Sequence, residues 1–466
     1  MANILICYFA PVETIYKSLA ETLADMGNNV YRLNIFGYID CDKWGGSHKL
    51  KSVKTLDVLK DINFDFVIDF NHSIPKELLD RLTCPICLYD ADNPDCWWNK
   101  DILKNNLDRY VFLGFKSCDK ELYEREFGGE IKKYLHIPAG TIIKAEQLEK
   151  THQISFIGSN FLNINKLIID YNIFNSIETN FELFLFLYSQ ISKDYFITAN
   201  QLYQEYHSQI DKTLFDKYFY LIHWYIYPGC QRLSYLSVLS DLNLTIYGND
   251  IWLDMLPIYT ELTTCFNTKR ITTPQESQHI YNSSKIAVNI SHPQAKDYFS
   301  WRVLDIMASS ACLLTEDKKD FRDLFSPHIS EEVMNYIIFK DRFDMREKAI
   351  NLLNNEELRS KCVYECQQAV EKIGRWKSKM ETLFEFLQIP LDNNKQGTDT
   401  LLLPILYPLE NIPKKKKLSK SKRYQKLIFY SFVLFLSYIP LTSYLFKEKK
   451  RRKLIQKLTD IQNGSV

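Results

Sequence analysis

The chain predicts an α/β protein of two Rossmann-like halves, each a parallel sheet with helices on both faces. Three observations carry that expectation. Uninterrupted apolar runs of strand length recur through residues 1–150 and again from residue 151, and strands that are apolar on both faces belong to parallel sheets covered by helices. The first run is followed by an amphipathic helix and a second run, the βαβ order that winds such a sheet. Ser283–Asp317, SSKIAVNISHPQAKDYFSWRVLDIMASSACLLTED, repeats that order late in the chain. At 466 residues the sequence is also too long for one ordinary core, so two domains and a tail are expected.

Taken in order, NILICYFAP (Asn3–Pro11) reads as a buried strand ending in a turn. TIYKSLAETLADMG then sets Ile15, Leu19, Leu23 and Met26 on one helical stripe, with Gly27 as its stop. NVYRLNIF is the next strand, followed by FDFVIDF (Phe64–Phe70), CPICLYD (Cys84–Asp90) and RYVFLGF (Arg109–Phe115), which complete an N-terminal domain over 1–150. QISFIGS opens a second domain over 151–387. An aromatic, helically patterned insertion at about 161–239 precedes the strand of LTIYG. Within Ser283–Asp317 the pattern gives a strand (Ile286–Ile290), a polar loop, a helix from about Trp301 to Ser309 and a strand (Ala311–Leu314). A helical stretch, Glu356–Leu387, closes the domain, and 388–413, with Pro and Asn, reads as a linker.

Residues 414–466 form a separate basic and apolar tail. From Lys414 onward there are 15 Lys and Arg against two acids, so the net charge of +1 hides a basic tail on an acidic body. An acidic body argues against nucleic acid as a partner, because that needs a basic stripe on the folded domain. Leu427–Phe446 is twenty uncharged residues between two basic clusters. Equal basic flanks give no topological asymmetry and Pro440 interrupts the run, so a re-entrant or interfacial anchor on anionic lipid through 414–457 is expected rather than a span, the alternative being a helix packed on the protein itself. Eleven scattered cysteines and the lack of a charged-then-apolar leader suggest a reducing, cytoplasmic setting at the inner membrane face.

The chemistry is expected in the loops that follow the strands, where orphan N–H groups of turns and helix starts meet ligands. Asp297 and Asp305 stand eight residues apart in the late βαβ unit, with Ser300 and Arg302 between them. DYFSWRVLDIMASS resembles the E-x7-E donor motif of GT-B glycosyltransferases, with Asp297 and Asp305 on the two Glu positions and Ser310 on the final Gly. The Arg302 to Asp305 spacing is similar to the R-x-x-E of the CgeB-like, spore-maturation branch. ISFIGS, the Arg232–Leu236 stretch and LTIYGNDIW fall in that branch's order as well.

This resemblance implies a GT-B fold and transfer of a sugar from a nucleotide-sugar to a glycan, lipid-linked or protein acceptor. No metal or other cofactor is expected. Asp305 would accept ribose hydroxyls, Arg302 and the Ser300–Trp301 amides would face the diphosphate or sugar, and Asp297 would meet a sugar hydroxyl. Gly158, Ser159 and Lys166 would approach a phosphate, while Tyr247, Gly248 and Asn249 would lie near the base. On the acceptor side, His72 would relay the acceptor proton, and Asp92, Trp97 and Trp98 would hold the acceptor, with Asp92 and Arg302 also counted as catalytic. Two other readings stay open. Asp90 and Asp92 imitate the D-x-D metal pair of GT-A enzymes, and the Glu-to-Asp and Gly-to-Ser departures suit a scaffold that binds without catalysing.

Overall fold

A computed structural model of the chain describes residues 1–41, 46–90, 92, 94, 97–162, 180–206, 210–255, 259–391 and 395–403. The tail from 414, including Leu427–Phe446, and Lys166 lie outside them. Among the described residues no helix is long and apolar enough to cross a membrane.

The first half is built on β1 (Asn3–Tyr8), β2 (Asn29–Asn34), a small hairpin of β3 (Ile39–Cys41) and β4 (His48–Leu50), then β5 (Phe66–Phe70), β6 (Ile86–Tyr89), β7 (Tyr110–Gly114) and β8 (Tyr134–His136). The second half carries β9 (His152–Ile157), β10 (Leu244–Tyr247), β11 (Phe266–Asn267), β12 (Ser284–Asn289), β13 (Cys312–Glu316) and β14 (Ile338–Phe339). A last strand, β15 (Thr398–Leu401), follows the C-terminal helices. Two parallel sheets result, ordered β15-β2-β1-β5-β6-β7-β8 and β11-β10-β9-β12-β13-β14. Every residue of β5, β6 and β7 is buried, which is why their sequences show no polar alternation. Two parallel sheets in tandem, with the chain returning to the first, is the GT-B arrangement.

The helix Thr14–Asp25 buries Ile15, Leu19 and Leu23 on the first sheet, as its stripe demands. The insertion is helical, with Phe181–Lys193, Lys212–Leu221 and Tyr227–Ser237 joined by a π-helical turn at Ile222–Ile226. Helix Glu356–Ile373 packs on the second half, and the next helix, Trp376–Phe386, crosses back. Its Trp376 and Phe384 meet Tyr89 and Phe66 edge-on, with ring centres at 6.1 and 5.5 Å.

Residues 388–413 were expected as a linker, but β15 pairs with β2 in parallel register, Thr398 opposite Asn29. Asp399 of this edge strand accepts from Arg32 Nε at 2.7 Å, and Arg32 also meets Glu13 at 2.8 Å. A buried cation with two carboxylates gives a short, weakly apolar strand its register.

The two halves touch through loop and helix side chains. Ser117 donates to Asp320 at 2.6 Å, Gln275 to Glu21 at 3.1 Å and Thr141 to Asp305 at 2.5 Å. Thr141 lies on the segment that leads from the first half to the second, and its N–H donates to Gly374, where the chain returns (3.0 Å).

Candidate functional site

The carboxyl ends of β9, β10 and β12 meet at one place in the second half. β9 runs straight into Gly158 and Ser159, and β10 into Gly248 and Asn249. The Gly158 N–H donates to the Tyr247 carbonyl at 2.9 Å, and Trp252 Nε1 donates to the Gly158 carbonyl at 2.9 Å. A Cβ on Gly248 would stand 2.2 Å from Trp252 Nε1 and 2.5 Å from the Gly158 oxygen, so only glycine lets the two loops close on each other. Asn249 Oδ1 is shielded there without a hydrogen-bond partner.

Beneath these loops lies Arg232, from the last helix of the insertion and only 1% exposed. Its Nη1 donates to the Ser159 carbonyl at 2.6 Å, its Nη2 to the Ile290 carbonyl, and its plane lies 4.2 Å from the Phe161 ring centre. Burial lowers its pKa to about 9, with Arg302 adding repulsion and Glu316 opposing it. A buried guanidinium held by carbonyls, with Nε unpartnered and a second guanidinium nearby, leaves local positive charge that suits an anion.

Arg302 opens the helix Arg302–Ala308, and Ser300 Oγ accepts its N–H at 3.3 Å. Asp305 sits one turn on, but the two form no ion pair. Asp305 Oδ1 instead accepts from Thr141, whose hydroxyl oxygen takes the Ile143 N–H at 3.1 Å and therefore has its single proton to give to the carboxylate. Burial pushes Asp305 up to about 6, against the Thr141 hydrogen bond and the Arg302 charge, and burial also lowers Arg302.

Gly158, Ser159, Tyr247, Gly248, Asn249, Arg302 and Asp305 all line one cavity of about 340 Å³, closed on the other side by Pro11, Val12 and Thr14 of the first half. That volume lies in the range of small-ligand sites. Asp297 and Ser300 are not in its wall. The Asp297 carbonyl accepts the Asp320 N–H at 2.8 Å, and Ser300 caps the helix start.

The first half departs further from expectation. His72 is fully buried, with Nδ1 on the Trp98 carbonyl at 2.5 Å and Nε2 on the Tyr110 hydroxyl at 2.8 Å. Burial lowers its pKa to about 4. With both nitrogens engaged inside the domain, it faces no acceptor. Trp97 (0% exposed) stacks on Phe127 and leans on Tyr123, and Trp98 (1% exposed) meets Phe9 and His48, so neither ring offers a face to a sugar.

Asp90 of the D-x-D pair is also interior. It shares the buried Lys116 ammonium with Asp119, at 3.8 and 3.3 Å. Burial and the neighbouring acid raise Asp90 to about 8, with Lys116 opposing. Among the described residues no group of three or more His, Cys, Asp or Glu is placed to hold a metal.

Asp92 differs from these neighbours, because it meets both halves. Its Oδ2 accepts from Asn71 Nδ2 at 2.7 Å and its Oδ1 from Gln294 Nε2 of the second half at 3.0 Å, while its carbonyl takes Lys116 Nζ at 2.7 Å. Burial raises its pKa, with Lys116 and the two amides opposing. Arg232, Thr141, Asn71 and Gln294 were not singled out as site residues. Only Arg232 had a signal, as the start of an Arg-x-x-x-Leu helix.

Residues 232–385, within the second half, are similar to the family described as Glycosyl transferase-like. No curated protein matches the chain closely in sequence. Among solved structures, it is similar to Anabaena Alr3699/HepE, determined with UDP and glucose, at 9% identity over 83% of this chain and 100% of that one, with a TM-score of 0.48. It is also similar to the T4 phage enzyme BGT in complex with UDP-glucose (12%, 84% and 100%, TM-score 0.46) and to S. aureus TarM (13%, 72% and 57%, TM-score 0.42). The chain thus spans just over half of TarM's length.

Proposed function

We propose that the chain is a glycosyltransferase that moves a sugar from a nucleotide-sugar, bound in the second half, to an acceptor presented by the first. The observation that carries this is the convergence in one interdomain cavity of the two Gly-containing strand ends, Arg302 and Asp305. The free oxygen of Asp305 would take ribose hydroxyls, and the Tyr247–Asn249 loop would lie against the base. Arg302, with the Gly158–Ser159 backbone, would meet the diphosphate, and the buried Arg232 charge beneath them would add to the field.

As the bond from the anomeric carbon to the phosphate oxygen breaks, its electron pair goes to the diphosphate. Fixed positive charge in a water-poor cavity stabilises that build-up most. The acceptor oxygen forms the new bond to the same carbon, and its proton passes to Asp92, a strand-end carboxylate of the first half that Gln294 of the second reaches. A carboxyl raised by burial toward the working pH is a better base than an ordinary one. With two guanidinium groups at hand, we propose no resident metal.

The CgeB-like branch and a lipid-linked or other glycan acceptor at the cytoplasmic membrane face, reached through the basic tail at 414–457, belong to this proposal as well. Release of nucleotide from a panel of UDP-, GDP- and CMP-sugars tests it. Turnover of one donor is expected, and Asp305→Ala should abolish binding of that donor. A protein that turns over none of them is a scaffold.

A further inference from the structure

The carboxylate assigned as the base is held from two sides, and only one of them is its own domain. On the near side, Asn71 and His72 both adopt positive φ, 54° and 50°, a conformation that non-glycine residues enter at a cost. His72, clamped at both ring nitrogens, rivets this turn and so aims Asn71 at Asp92 Oδ2. On the far side, the loop between β12 and the helix Arg302–Ala308 supplies Gln294. Its N–H donates to His292 Nδ1 at 3.2 Å, and the next carbonyl, that of Ala295, takes Lys318 Nζ at 2.5 Å, so this hand is also braced. Gln294 Oε1 is shielded and unpartnered. That is the orientation expected if the carboxylate selects the amide NH₂ and repels the carbonyl oxygen.

We propose that Gln294, a residue of the donor half, positions the acceptor-side base, so that Asp92 is set for proton transfer only when the two halves are in register. This rests on the assignment of Asp92 made above. Around that carboxylate stand Asn71, Lys116, Asp90 and Tyr16 of the first half and Gln294 of the second. Lys116 and the two amides favour the anion, whereas Asp90 and burial oppose it. Removing the Gln294 N–H takes away one of three stabilisers, so the carboxyl holds its proton to higher pH and rate is lost on the acid side.

The test is the pH profile of nucleotide release, with the donor that the sugar panel identifies and water as the acceptor, for wild type, Gln294→Ala and Gln294→Glu. Gln294→Ala should lower kcat about tenfold near neutral pH with donor KM unchanged, and move the acid limb upward. Gln294→Glu, which sets a like charge against the base, should move the limb further. If Gln294→Ala melts early, Gln294→Met keeps the volume and replaces it. An unmoved limb, or a loss confined to donor KM, overturns the inference.

Asp92→Asn separates the two levels. If it retains wild-type rate, or if no sugar is turned over at all, the functional assignment falls. If it is inactive while the Gln294 profiles match wild type, only the positioning role falls.

Discussion

The two halves put similar strand-end residues to opposite uses. In the second half, Gly158, Gly248, Asn249, Arg302 and Asp305 follow their strands into a shared cavity. In the first, His72, Asp90, Trp97 and Trp98 also follow strands, yet all are turned inward and buried. The difference lies in the backbone. Tight glycine loops and a helix start hold the second-half residues at the strand ends, whereas the positive-φ turn at Asn71–His72 folds the first-half loop back over its own sheet. A residue type at a strand end therefore locates chemistry only when the turn after it is known. Asp92 is the exception that the opposite half reaches.

The largest effect expected from this contrast is on stability. Trp97→Ala should cost about 3–5 kcal/mol, the range for emptying a large buried aromatic site, and lower the thermal midpoint by several degrees. Calorimetry of the variant, with donor binding measured below its transition, checks both sides. Donor affinity near wild type confirms that this Trp supports the fold, and a selective loss of acceptor use without destabilisation would return it to the site.

How far the sequence reveals such a division depends on which signal each residue carries. The core strands were legible because burial on both faces leaves continuous apolar runs, as in Ile86–Tyr89 and Ala311–Leu314. β15 was not, since TDTL is short and half exposed and pairs with Asn29–Arg32 almost a whole chain-length away. Arg302 and Asp305 were legible through the resemblance of their stretch to a known donor motif, not through their spacing alone. Thr141 and Gln294 were not, because neither residue type is rare in a loop and their partners, Asp305 and Asp92, lie 164 and 202 positions off. His72 carried a misleading signal, because a histidine after a buried strand reads the same whether it faces a cleft or its own core.

A smaller effect sharpens the contrast from the donor side. Thr141→Val removes the one hydroxyl that joins the connecting segment to Asp305, while keeping the shape. Loss of a charge-assisted hydrogen bond is worth about 1.5–3 kcal/mol at most, so donor Kd should rise about tenfold, and Thr141→Ser should restore it. Titration calorimetry with the identified donor decides this. Unchanged affinity in Thr141→Val would mean that Asp305 grips the ribose without help from the connecting segment.

The smallest effect is the pH dependence of donor binding, and its sign follows from the cause of the Asp305 shift. Burial raises this carboxyl to about 6, above the ordinary value, so it is ionised at pH 7.5 and takes up a proton as pH falls through 6. The ionised form accepts hydrogen bonds at both oxygens, from Thr141 at one and from the ribose at the other. The acid form must keep a proton on one of them and loses an acceptor. Donor affinity should therefore be flat above pH 7 and fall about fourfold by pH 5.5, the fraction left ionised there. An ordinary carboxyl would show this loss only below pH 4.5. In Asp305→Asn the curve should be flat at the weaker level, because the amide does not titrate. A wild-type profile that stays flat down to pH 5 would place the donor's ribose on a group other than Asp305 and remove the second half's claim to hold the nucleotide in this cavity.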